Sequence, residues 1–104
     1  MSNTIRMRAA LQGDVCEVRA MLAHPMETGQ RKHPETGLAV PAHFIQEVRC
    51  TLNDRPVMSA YWGPGVSANP FLSFRFRGAS SGDTVTLSWV DNKGGQASAS
   101  TRVG

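Results

Sequence analysis

A period of two in the apolar residues constrains this chain more than any other feature. Ile5, Met7, Ala9 and Leu11 take every second position, with Arg6 and Arg8 between them. Cys16, Val18, Ala20 and Leu22 do the same against Glu17, Arg19 and Met21. Phe44, Val48, Cys50 and Leu52 share one parity, opposite Glu47, Arg49 and Thr51. Leu72, Phe74 and Phe76 alternate with Ser73, Arg75 and Arg77, and Val85, Leu87 and Trp89 with Thr84, Thr86 and Ser88. Successive side chains of a strand point to opposite faces, so each pattern describes a strand buried on one side. No segment has the 3.6-residue period and caps of a helix. Turn residues fall between the patterns: Gln12-Gly13-Asp14, Asn53-Asp54, Gly63-Pro64-Gly65, Gly78 to Gly82 and Asn92-Lys93-Gly94-Gly95. The sequence thus predicts seven strands, over roughly 4–12, 14–24, 42–52, 56–62, 70–77, 83–91 and 96–103. Short strands with regular turns form an antiparallel sandwich or barrel.

The length of 104 residues sets the expectation of a single domain over 1–104. No apolar run reaches the ~18–20 residues of a membrane-spanning helix. The first residues, MSNTIRMRAALQGDVCEV, lack an apolar core and a cleavage site, so no secretory signal is expected there. The net charge of +3 comes mostly from nine arginines spread along the chain, not clustered with aromatics. That distribution argues against a nucleic-acid footprint and leaves an acidic protein partner or an anionic substrate open.

The one long connection, residues 25 to 41, holds most of the stretch HPMETGQRKHPETG, in which His-Pro-(Met)-Glu-Thr-Gly occurs twice. A loop of this length in a compact domain is usually functional or mobile. Proline holds each preceding histidine extended, and Gly29 and Gly37 permit positive φ, so each copy reads as a turn. Met26, Arg31 and His24 are also residue types suited to an interface. His24, His33 and His43, with a cysteine, form the alternative: a small metal or redox domain. Their spacings of nine and ten residues match no short ligand motif. Cys16 and Cys50 fall on inward faces, where they read as small buried hydrophobes, as a disulfide pair, or as a reactive or metal-bound thiol. Tyr61 and Trp62 beside Gly63-Pro64-Gly65 are either an interface anchor or the end of a core strand. Trp89 lies on an inward parity and is expected in the core. Neither paired carboxylates nor a phosphate-cradling glycine loop is present, so no catalytic residue is assigned.

Five blocks together resemble a known family. HPMETG at 24–29 with Arg31-Lys32 behind it, PAHFIQEV at 41–48, WGP at 62–64, NPFLSFRFRG at 69–78 and GDTVTLSWVDNKG at 82–94 are similar to the SoxZ family, from about Ile5 to Val103. SoxZ is the non-catalytic subunit of the SoxYZ sulfur carrier of thiosulfate oxidation. The resemblance implies an immunoglobulin-like β-sandwich and no cofactor. It implies a SoxY-like partner whose flexible C-terminal cysteine carries the sulfur intermediate, and transient docking with the pathway's enzymes. It also implies a periplasmic location, reached with a signal-bearing partner. His24, Met26, Arg31, Trp62 and Phe71 are the expected partner contacts. No role passes to Cys16 or Cys50. A self-contained module or homodimer is the further rival.

Overall fold

The computed structural model describes residues 4–104. It contains seven strands: β1 (Ile5–Gln12), β2 (Val15–Leu22), β3 (Ile45–Leu52), β4 (Arg55–Tyr61), β5 (Phe71–Arg77), β6 (Thr84–Asp91) and β7 (Gln96–Arg102). Each coincides with one of the seven strands predicted from alternation and turn signals, within a few residues at the ends. They form two antiparallel sheets, β1-β2-β5 and β4-β3-β6-β7, packed as a sandwich. This order is compatible with an immunoglobulin-like arrangement.

The core is the inner face of both sheets. Ile5, Ala9, Val18 and Leu22 from the first sheet meet Ile45, Val48, Leu87 and Trp89 from the second. Burying each such aliphatic side chain contributes roughly 1.5–3 kcal/mol. The alternation misplaces two residues. Phe44 is only partly buried, and Ile45 is fully buried although it has the opposite parity. The register between β3 and β6 shifts between Ile45 and Glu47, and a bulge of that kind moves one residue to the other face.

One lateral side of the sandwich is sealed by the end of the chain. Leu11 N–H donates to Gly104 (3.0 Å) and Gly104 N–H to the Ala9 carbonyl (3.1 Å), tying the end of the chain, just beyond β7, to β1. The other side is left with β5 and β4 as open edges. Pro56 sits near the start of β4, where a missing N–H blunts strand-to-strand pairing.

Cys16 and Cys50 are both free thiols with 0% exposure. Of the three readings open from sequence, the structure has that of small buried hydrophobes. Burial, and then the neighbouring Cys16 sulfur, push the Cys50 thiol up to about 11; burial also raises Cys16. Thiolate chemistry at neutral pH is suppressed at both. Maleimide labelling of the native chain at pH 7.5 is expected to run on the order of a hundredfold slower than for the urea-unfolded chain. Equal rates would place a thiol at the surface.

Candidate functional site

The connection between β2 and β3 must carry the chain from one sheet to the other. It does so as a folded-back loop. Glu27 and His43 exchange backbone hydrogen bonds (2.6 and 2.9 Å), and Lys32 bridges Ala39 further out. His24, just past β2, and His43, just before β3, are thereby brought to the same end of the sandwich. The last residue of β6, Asp91, pairs with Ile45 of β3 and so lies beside them.

The Asp91 carboxylate is the centre of this cluster. His24 Nε2 lies 3.0 Å and His43 Nε2 2.8 Å from its Oδ2. Its Oδ1 accepts the backbone N–H groups of Lys93 (3.0 Å) and Gly95 (2.7 Å). Four donors fill the roughly four acceptor positions of an ionised carboxylate. Burial alone would raise the Asp91 pKa. The bonds from His24, His43, Gly95 and Lys93 outweigh it and hold the group down to about 2. Asp91 is therefore a buried anion (4% exposed) kept charged by hydrogen bonding.

The same turn residues grip the loop from a second direction. Asn92 accepts from Phe44 N–H through Oδ1 (2.8 Å) and donates from Nδ2 to the Ala42 carbonyl (2.9 Å). Asn69, at φ 50°, accepts the His24 N–H on Oδ1 (3.1 Å) and donates its own N–H to the His24 carbonyl (2.9 Å).

The doubled phrase is doubled in geometry too. His24 Nδ1 accepts from Met26 N–H (3.1 Å), and His33 Nδ1 from Glu35 N–H (3.3 Å). Thr28 Oγ1 accepts from Gln30 N–H (3.1 Å), and Thr36 Oγ1 from Leu38 N–H (3.2 Å). Gly29 and Gly37 both have positive φ. Only the first copy is part of the core. Its extra residue, Met26, adopts φ 48°, a conformation costing roughly 1–2 kcal/mol for a non-glycine residue. In return its side chain is buried, with Sδ 3.3 Å from the Ile45 amide.

His24, His43 and Asp91 are also a ligand set for a divalent metal, since their ligand atoms all lie within 4.8 Å of one another. The tautomer of His24 opposes that use. Its Nδ1 accepts a backbone N–H, so the ring proton is on Nε2, where it is donated to Asp91. A metal on Nε2 would require the proton at Nδ1, facing the Met26 N–H, donor against donor. Ligating histidines have the reverse arrangement, with the second nitrogen donating. The geometry is that of a clamp.

This corrects the sequence reading in several respects. His33 is exposed in the outer turn, away from His24 and His43, and neither cysteine joins the cluster. Asp91 was missed, although it continues the inward parity of Val85, Leu87 and Trp89, where a carboxylate must find donors. Among the expected partner contacts, His24 and Met26 are each only 4% exposed, so their side chains lie inside the fold. His24 is taken up by Asp91 and Met26 by the β3 entry. Arg31 is exposed and paired with Glu27 (2.7 Å). Trp62 is partly buried against the core, and Phe71 is 61% exposed.

Two predictions follow from the clamp. Asp91→Asn would place an amide NH2 against N–H donors and should cost ~3 kcal/mol or more in urea unfolding. Because Asp91 is held at about 2 when folded, against ~3.9 unfolded, it stabilises the fold by roughly 2–3 kcal/mol. That contribution is complete above ~pH 5 and is lost progressively as pH falls from there through the folded value. The variant should lose this part of the acid dependence; an unchanged acid transition would disprove the assignment. Dialysis against zinc or iron at neutral pH should leave well under one equivalent bound, measured by elemental analysis.

The fold has counterparts among solved structures. Three structures of the superoxide reductase (neelaredoxin) from Ignicoccus hospitalis, two of them substituted variants, superpose on the chain. The first has 15% identity, covers 97% of this chain and 78% of the other, and has a TM-score of 0.68. The second and third have 16% identity, cover 98% and 81%, and have TM-scores of 0.64 and 0.62. At such identity the likeness is one of fold. No curated protein matches the sequence. A family model does, over residues 5–102, and it takes in every block that meets at the clamp; the chain belongs to the family of the sulphur oxidation protein SoxZ.

Proposed function

We propose that this chain is the non-catalytic subunit of a SoxYZ-type sulfur carrier. In this reading it binds and stabilises a SoxY-like subunit, whose own C-terminal cysteine carries the sulfur intermediate during thiosulfate oxidation. The observation that carries the proposal is the state of the thiols. A carrier sulfur must be exposed, on a flexible tether, and able to ionise. Cys16 and Cys50 lie within strands, have 0% exposure and have raised pKa values. A SoxZ-family chain with sealed thiols serves such chemistry through a partner. The reading includes a periplasmic site of action, reached together with that partner.

The surface near the β4–β5 connection offers the contacts. Tyr61 is 77% exposed and Phe71 61%, with Trp62 between them in sequence. Aromatic side chains standing in water beside a rigid Gly-Pro-Gly turn are suited to anchor a partner. Arg31 adds a guanidinium from the outer loop.

Native mass spectrometry of the chain purified from its host grown on thiosulfate tests the proposal. A heterodimer is expected, with sulfur adducts on the second subunit and none on this chain. A monomer or homodimer, or sulfur adducts on Cys16 or Cys50, would overturn it. Arg31→Ala and Trp62→Ala should each weaken the complex by about tenfold or more. Unchanged affinity in both would exclude that surface.

A further inference from the structure

The outer face of the β1-β2-β5 sheet has an unusual charge arrangement. Strand register places its outward residues in rows. Arg6, Met21 and Phe71 form one row; Arg8, Arg19 and Ser73 form the next. Ala10, Glu17 and Arg75 follow, then Gln12, Val15 and Arg77. Among the described residues, the only carboxylates within ion-pair distance of these arginines are Glu17, bonded to Arg19 (3.0 Å) and Arg75 (3.1 Å), and Asp14, 3.4 Å from Arg77. The five arginines exceed these two acids by three charges, equal to the net charge of the whole chain.

The excess is concentrated at one end. Among the described residues, Arg6 and Arg8 have no carboxylate within ion-pair distance. Arg8 lies directly across from Arg19, and like charges in that position weaken a strand pair. Beside them stand Met21, 49% exposed, and Phe71, 61% exposed, themselves directly opposite one another. Arg6, Arg8, Arg19, Met21 and Phe71 rim a shallow depression of about 250 Å³. Arginine, methionine and phenylalanine are the residue types enriched in the cores of protein interfaces.

We infer that this face is a second protein-docking surface, whose occupant is an acidic segment of a partner protein carrying an apolar side chain. The carboxylates would neutralise Arg6, Arg8 and Arg19, and the apolar side chain would fill the depression between Met21 and Phe71. A nucleic acid fits less well, because the arginine field is interrupted by Glu17 and ends where Arg6 gives way to Met21 and Phe71, with no stacking platform beyond Phe71. The surface shares Phe71 with the proposed carrier-subunit contacts, but Arg6, Arg8, Arg19 and Met21, which form the rest of it, are not among those contacts.

The test uses a synthetic peptide, acetyl-Glu-Glu-Phe-Glu-Glu-amide, titrated into the full chain and followed by amide chemical shifts. Shifts are expected at Arg6, Arg8, Arg19, Met21 and Phe71, with binding weakened roughly tenfold between 20 and 300 mM salt. Arg8→Glu combined with Arg19→Glu should abolish the shifts, and replacing the peptide's phenylalanine by glycine should weaken binding about fivefold or more. No shifts, shifts on another face, or equal binding by the glycine peptide would overturn the inference. The same titration on the chain in complex with its carrier subunit separates the two readings. Retained binding supports a second surface. Exclusion of the peptide would make this face the subunit's own seat and overturn it. A failure to form any complex bears on the carrier reading alone.

Discussion

Asp91 is a charge that the fold has taken out of water, and the structure around it is organised by that cost. An unpaired buried carboxylate is unstable by several kcal/mol. Here four N–H donors converge on it: two imidazoles from the ends of the long loop and two amides from the turn after β6. Each donor comes from a segment that would otherwise be free to wander. The crossing between the sheets, the entry to β3 and the β6–β7 turn are held by one group. Gly95 is part of this constraint, since a Cβ there would lie 2.7 Å from Asp91 Oδ2. The site reads as a chemical centre from its composition. Its proton inventory, with His24 accepting on one nitrogen and donating on the other, makes it a mechanical one.

The doubled phrase shows how one local code serves two purposes. Both copies use histidine and threonine acceptors, each bonded to the amide two residues on, and a glycine of positive φ. The outer copy ends as a solvated turn. The inner copy has one more residue, Met26, whose buried side chain and positive φ redirect the chain beneath β3. Four of the sequence blocks that resemble SoxZ supply partners to this region: His24 and Met26, then His43, then Asn69, then Asp91 and Asn92. The resemblance therefore reports, in good part, how the loop is tied down.

Beyond the clamp and the buried thiols lie the surfaces. The two outer faces of the sandwich differ. The four-stranded sheet presents Thr86, Ser88, Ser98 and Ser100 from β6 and β7, and beside them Arg49 paired with Glu47 (3.0 Å), with Tyr61 and Val90 in the next row. The three-stranded sheet presents arginines and two exposed apolar side chains.

The strands were legible in the sequence because period two is a local property. Each of the seven was visible from residues within about ten positions of one another, and the turns from their own glycines, asparagines and prolines. The inward parity of both cysteines and of Trp89 was legible for the same reason. Phe44 and Ile45 were not, since a bulge depends on the register with β6. The clamp was beyond local reading altogether: its bonds join residues 67 and 48 positions apart. Three histidines looked equivalent in the chain. Only the folded loop separates His24 and His43, turned toward a buried carboxylate, from His33, turned toward water. The sequence by itself determined which residues form strands and which face of each is apolar. The tertiary structure alone decided which polar residues meet, because that depends on how two sheets bring their ends together.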